Sequence, residues 1–520
     1  MGSGSFLSNN YLLFFVVLAG LLTSNLNPSL LVAPSDNFIN IPVAEIHKNT
    51  DLYPNDVFIR TFYYGHHHYV LHKAMSIIPF DLYVFSFVAG IIVRLLYILG
   101  FFFAGRELTK SNIGGFIAGI SALVTPGAYG SSTIQHFVSA NLVYSIYPWF
   151  AYFLLRRNTK HRLIIISILL FVLLTIHPFV AFPLVLLSFA KFVREDEWRI
   201  RGIIFGSIAT IMIVTIIFMG PAVFSVDQIN VMNEKFSDIS TSAGSAPLKV
   251  FTGGILIGLF ITCAGVICSF YNKNSQIFGV WIFLMFSYYT ASLLLLLITQ
   301  KFLVMVAVRV FVFVTAFFPI YVSILTIQFW KQSKRLAILF TVFILSVSFF
   351  HTGLPGNFEK RFLLSDTYQF VCKQVPSMNE LLKCNVKEGP LNLLKKQAYL
   401  ELCPVIAKTP NNELTLSPPG MAVFLRVCTK RGTVISDKDH GAAWYSDLAA
   451  KSYLNYFERI EDAYKNNNTQ ELFILANETK ATNIISEYPI NDSTTNWRLL
   501  VNNSFYYVYT NLKKNNTIVK

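Results

Sequence analysis

The stretch FLVMVAVRVFVFVTAFFPIYVSILTIQFW, Phe302–Trp330, holds one charged side chain, Arg309, in an otherwise apolar run. It exceeds the roughly 20 residues that cross a bilayer as a helix, so it is read as a membrane span. Working outward, Leu163–Phe179, Ile203–Phe224, Phe251–Phe270, Ile277–Thr299 and Leu336–Phe350 read in the same way. Tyr11–Val32 is too long for the apolar core of a cleaved leader and has no convincing cleavage site. Met1–Ser8 before it has no Lys or Arg, so it is read as an uncleaved first span. The apolar pattern stops near His351, and ordinary polar sequence follows.

Composition agrees. The chain is 54% hydrophobic and 13% charged, against roughly 25% charged in a soluble domain. The net charge of +14 does not point to nucleic acid. Much of it sits in short connections between apolar runs, where Lys and Arg mark the cytoplasmic side. Those connections contain Arg106/Lys110, Arg156/Arg157/Lys160/Arg162, Lys191/Arg194/Arg199/Arg201, Lys273 and Lys331/Lys334/Arg335. About eleven spans put them all on one face: 11–32, 83–104, 112–130, 137–155, 163–179, 180–193, 203–224, 251–270, 277–299, 303–330 and 336–351. The two spans that meet near Pro178 are short, a tight hairpin or a re-entrant pair.

The fold class expected is therefore an α-helical polytopic membrane protein in the plasma (inner) membrane. A multi-span domain, 1–351, contains a long first outer loop, 33–78, and a mixed α/β domain, 352–520, lies outside the cytoplasm. Cys372, Cys384, Cys403 and Cys428 fall in that tail. An even number suits two disulfides in an oxidising compartment; three pairings are open, as are four free thiols. Asn467, Asn477, Asn491, Asn502 and Asn515 begin N-x-S/T sequons, although a tail rich in Asn, Ser and Thr generates them by composition alone.

Within the tail, Leu391–Leu402 reads as helix, Leu414–Ser417 as a strand entering the Pro418-Pro419-Gly420 turn, and Met421–Lys430 as helix. Thr433–Ser436 reads as strand, Ala442–Lys465 as a long amphipathic helix, Asn483–Ser486 as strand, and Trp497–Asn511 as a hairpin turning near Asn502-Asn503. The order predicts a parallel sheet core with an antiparallel edge. No phosphate loop, nucleophile elbow or zinc Cys pair stands in this domain.

Chemistry is sought instead where polarity is expensive. Arg309 falls about six residues into its span, roughly 9 Å below the outer surface at about 1.5 Å per residue, with Lys301 just above. A guanidinium there offers paired donors to a lipid phosphate; snorkelling or an internal ion pair is the plainer reading. Arg94 is mid-span, and His177-Pro178 marks a helix break where a side chain can face a cavity. Asp36 follows the first span at once, at the mouth of any outward cavity. It could act as general base or hold a divalent cation, Mg or Mn, that bridges a phosphate. Glu45, Asp51 and Asp56 are lesser candidates in the same loop, and loop carboxylates are often merely solvated. His66-His67-His68 and His72 form a cluster with no positioned third metal ligand.

With the acid after the first span, the long outer loop, the many spans and the outer C-terminal domain, the chain resembles the GT-C superfamily of membrane glycosyltransferases, which includes the oligosaccharyltransferases. It also resembles bacterial multi-pass membrane proteins of this architecture through Asp51-Leu52-Tyr53-Pro54-Asn55-Asp56, His177-Pro178-Phe179, and Pro418-Pro419 with Phe424, Arg426, Arg431, Lys438 and Trp444. The GT-C resemblance implies transfer of a sugar from a polyprenyl-phosphate-type donor to an acceptor on the outer face, with Asp36 catalytic. Arg309, Lys301, Arg94, His177, Glu45 and Asp56 would then be substrate-binding candidates. The loop departs from the superfamily in lacking an adjacent acidic pair, and Trp444-Tyr445-Ser446-Asp447 stands far from the WWDYG motif, so peptide glycosylation is not implied. Two other classes compete. A transporter or polysaccharide-assembly protein without glycosyl transfer would tend to show matched halves, and no internal repeat is found. A non-catalytic scaffold would tolerate loss of Asp36 and Arg309.

Overall fold

The computed structural model describes residues 4–24, 37–65, 68–124, 139–156, 162–194, 275–299, 316–351, 401–410, 412–437, 439–490 and 496–512, with scattered positions at 200–201, 225–231, 263–270 and 395–399. It is mostly helical with one small C-terminal sheet. The helices are α1 Gly4–Ser24, α2 Asn37–Lys48, α3 Val57–Gly65, α4 Tyr69–Ser76, α5 Leu82–Thr109, α6 Asn112–Leu123, α7 Ser139–Leu155, α8 Arg162–Ile176, α9 Pro178–Arg194, α10 Gln276–Thr299, α11 Phe318–Gln332 and α12 Lys334–His351, then α13 Cys403–Ile406, α14 Pro419–Thr429, α15 Asp447–Lys465 and α16 Thr469–Glu478. The strands are β1 Leu414–Leu416, β2 Gly432–Thr433, β3 Asn483–Ser486, β4 Trp497–Asn502 and β5 Tyr507–Asn511. Two compact units form, Met1–Pro28 with Ser86–Pro221 and Ser240–Glu359, and Ser29–Phe85 with Ala222–Ile239 and Lys360–Lys520.

In the first unit the helices meet through small residues and indole or hydroxyl donors, as close helix packing requires. Ser323 Oγ on α11 donates to the Gly114 carbonyl on α6 at 2.6 Å, and a Cβ on Gly105 would come within 2.6 Å of Ala118 Cβ. Trp281 of α10 donates to the Pro183 carbonyl of α9 at 2.8 Å, and Trp149 of α7 to the Leu96 carbonyl of α5 at 2.8 Å. Phe101, Tyr147, Phe278 and Trp281 surround the buried Phe317 ring. Among the described residues one helix, Val84–Thr109, is long and apolar enough to cross a membrane. The spans expected at 203–224 and 251–270 and the first half of 303–330 lie largely outside the described residues.

The second unit is a five-stranded sheet in the order β2-β1-β3-β5-β4. β1 runs parallel to β2 and β3, while β5 runs antiparallel to β3 and β4. This is the parallel core with an antiparallel edge that the sequence predicts. The hairpin turns where predicted: Asn503 Oδ1 accepts from the Phe505 and Tyr506 amides at 3.1 and 2.9 Å. Three local differences have simple causes. The long helix starts at Asp447 rather than Ala442, because Ser446 caps it and Asp439–Trp444 closes as a 3-10 turn. The second strand is Gly432–Thr433 rather than Thr433–Ser436, because the Asp439 carboxylate takes the Ser436 amide at 2.7 Å. The unexpected helix α16 is capped by Asn468, whose side chain accepts from the Glu471 amide.

One core unites the loop with the tail. Val43 and Ile46 of α2 and Phe58, Ile59 and Phe62 of α3 pack with Leu416, Ile435, Tyr453, Phe457, Leu475 and Ile484. A second cluster, with Tyr399, Leu402, Ile406, Leu425, Ile485 and Val508, is joined by the Cys403–Cys428 disulfide. Cys372 and Cys384 lie outside the described residues.

Candidate functional site

Asp36 precedes α2 by one residue, and Asp36, Lys301 and Arg309 all lie outside the described residues. The frame that follows Asp36 is described. α2 is amphipathic, burying Ile41, Val43, Ala44 and Ile46, and its register fixes what its polar residues meet. Asn40 Oδ1 accepts from His72 Nε2 of α4 at 2.8 Å. Glu45 turns to Lys430 Nζ at 3.5 Å and Lys48 Nζ at 4.0 Å. His47 lies against the Tyr63 and Tyr69 rings.

A fully buried charge cluster in the second unit joins the loop to the tail. Arg426 donates from Nε and Nη2 to Asp56 at 2.8 and 3.2 Å, from Nη1 and Nη2 to Asp439 at 2.6 and 2.7 Å, and from Nη1 to Ser436 Oγ at 3.1 Å. Every N–H of the guanidinium is thereby used. All three charged side chains are 0% exposed. Two carboxylates on one cation leave an excess negative charge when both are ionised. Backbone amides answer it: Ile59 and Thr433 donate to Asp56 at 3.0 and 3.1 Å, and Ser436 to Asp439. Burial pushes the Asp56 carboxyl upward, opposed by Arg426 and reinforced by Asp439. Burial alone would pull Arg426 down, but the two carboxylates outweigh it and raise the guanidinium above its ordinary value. Tyr53 completes the group, donating to the Arg426 carbonyl at 2.7 Å. With its carboxylate committed to Arg426 and two amides, Asp56 sits in the core as a structural tie.

Of the remaining candidates, Arg94 is buried in α5. His177 is buried at the break between α8 and α9, and its Nδ1 accepts from the Val180 amide at 3.4 Å. The break has a local cause: Pro178 has no amide hydrogen to continue α8. His72 is fully buried, and burial, then His68 and His47, hold its pKa well below the ordinary imidazole value. The described residues do not supply a donor set for a divalent cation, since no three His, Cys, Asp or Glu side chains gather among them. Sequence reasoning set Arg426 among resemblance residues but could not see its partner, and Asp439 was missed. A partnership across 370 positions has no local periodicity; the only signal is an arginine inside a helix that otherwise reads as core.

No protein-family model matches the chain, and no curated protein matches it. The solved structures similar to it include the following two. One is the Archaeoglobus fulgidus oligosaccharyltransferase, in complex with Zn and sulfate, at 12% identity over 92% of this chain and 68% of that one, TM-score 0.45. The other is ArnT from Cupriavidus metallidurans, bound to undecaprenyl phosphate, at 12% identity over 98% of this chain and 99% of that one, TM-score 0.45.

Proposed function

We propose that the chain is a membrane glycosyltransferase that moves a sugar from a polyprenyl-phosphate-type donor to an acceptor on the outer face. The observation that supports this reading most is the shared core of loop and tail. The segment that begins at Asn37, next in sequence after Asp36, is a packed helix rather than a loose connection, a rigid frame of the kind that positioning of a reacting group requires. In the proposed reaction the acceptor hydroxyl gives its proton to Asp36 and its oxygen bonds to the anomeric carbon. The bond from that carbon to the lipid phosphate oxygen breaks, and Arg309 and Lys301 hold the charge left on the phosphate.

Purified chain is assayed with a panel of radiolabelled polyprenyl-linked sugars. Transfer is expected for at least one donor, and Asp36→Asn should lower it by about 10² or more. Transfer that survives unchanged in Asp36→Asn refutes the catalytic assignment. Absence of transfer from every donor, with the folded chain verified, counts against the reaction itself.

A further inference from the structure

One face of the C-terminal sheet carries a row of polar oxygens that the sugar-transfer reading does not use. Register places Thr433 of β2 beside Thr415 of β1, and Thr415 beside Asn483 of β3. Residues paired across neighbouring strands point to the same face, and positions two apart along a strand share it. Ile485 therefore lies on the face of Asn483, which is the face of the cluster with Tyr399, Leu402, Ile406 and Val508. Thr433, Thr415 and Asn483 are buried there, at 1%, 1% and 0% exposure. Thr433 Oγ1, Thr415 Oγ1 and Asn483 Oδ1 have no hydrogen-bond partner in the protein. Native cores leave very few such groups unmatched, and here three stand abreast.

Spacing and chemistry say what answers them. Neighbouring strands lie about 4.8 Å apart, wider than the roughly 2.8 Å of an O–H···O bond, so one small molecule between two of these oxygens can bond to both. Asn483 sets the kind of molecule. Its Nδ2 donates to Glu413 Oε2 at 3.0 Å and to Thr482 Oγ1 at 3.3 Å, which leaves Oδ1 as a pure acceptor. The guest must donate to that oxygen, while each threonine hydroxyl can give or take a proton. The buried Glu413 carboxylate already acts on the Arg431 guanidinium, so a neutral guest suits the row.

We infer that the row is an internal water site holding two molecules, one bridging Thr433 Oγ1 and Thr415 Oγ1, the other bridging Thr415 Oγ1 and Asn483 Oδ1. Each has the two polar partners that a buried water needs. Thr433 also gives its backbone amide to Asp56 at 3.1 Å. The waters thereby close a polar chain from the buried Arg426 cluster, across the three parallel strands, to Glu413. Threonine and asparagine stand where valine would otherwise pack because the chain needs their oxygens.

The test uses the full chain in lipid nanodiscs, imaged to a resolution that shows ordered water, together with thermal unfolding. Two density peaks are expected in the gaps named, each about 2.8 Å from its partners. Thr415→Val replaces the shared hydroxyl with a methyl group of nearly the same shape. In that variant both peaks should weaken or vanish, and unfolding should come a few degrees earlier. Side-chain oxygens bonded directly to one another, with no density between them, overturn the inference. Later unfolding in Thr415→Val overturns it too, because a dry, unmatched hydroxyl is better removed. A stabilisation by sodium chloride over choline chloride that Thr415→Val abolishes also overturns it, because the guest is then a cation.

Discussion

Replacing Arg426 by Met keeps most of the side-chain volume and removes the charge, which isolates what the guanidinium does. In the native core it neutralises Asp56 and Asp439, both fully buried. Without it the two carboxylates face one another in low dielectric with only the Ile59, Thr433 and Ser436 amides as partners. Removing one partner of a buried pair costs about 3–5 kcal/mol, a large share of the roughly 5–15 kcal/mol that holds an ordinary domain. At about 2–4 °C per kcal/mol for a unit of this size, the melting temperature should fall by roughly 6–20 °C. Thermal unfolding in detergent, followed by tryptophan fluorescence, reads this directly. Arg426→Met combined with Asp56→Asn and Asp439→Asn should recover at least about half of the loss, since the uncompensated charge is then gone. A fall of less than about 2 °C in the single variant would refute the claim that this cluster ties the loop to the tail.

Other outcomes follow from the same packing. His72 is buried with its pKa held well below the ordinary imidazole value, so the unfolded chain binds the extra proton. Stability is then fully present above about pH 6.5 and lost as pH falls through that value, by up to about 1.4 kcal/mol per pH unit for one histidine. Melting temperatures from pH 8 to 5 should show this slope, and His72→Gln should flatten it. The Cys403–Cys428 bridge closes a loop with a separation of 25, so opening it with Cys403→Ala and Cys428→Ala should cost roughly 3–3.5 kcal/mol by chain entropy. Peptide mapping of alkylated, non-reduced protein should recover the cross-linked peptide. Gly105→Ala would set a methyl 2.6 Å from Ala118 Cβ and 3.0 Å from the Gly114 carbonyl, and should cost about 1–3 kcal/mol by overpacking, read as earlier melting.

Periodicity made the tail legible: β1, α14, β3 and the β4–β5 hairpin stand where alternation and the Pro418-Pro419-Gly420 turn put them. The start of α15 was misplaced because Ala442 and Ala443 carry helix propensity while the Asp439–Trp444 turn and the Ser446 cap override it. Helix α16 was missed although Asn468 with Glu471 three positions on is a capping pattern. The candidate site was legible only in part. Arg94 and His177 stood out as polar residues in costly places, and both are buried; Glu45, read as a lesser loop carboxylate, is buried as well. Nothing local in the sequence reveals that Asp56 is spoken for by Arg426, because such a pairing is set by tertiary packing.

The proposed sugar transfer requires stoichiometric chemistry that depends on Asp36 and Arg309. Supplied with a sugar-labelled polyprenyl phosphate and an acceptor, the purified chain should release one lipid phosphate for each sugar it transfers. The Asp36→Asn, Arg309→Ala double variant, equally well folded, should release almost none. Equal turnover in the double variant would contradict the account.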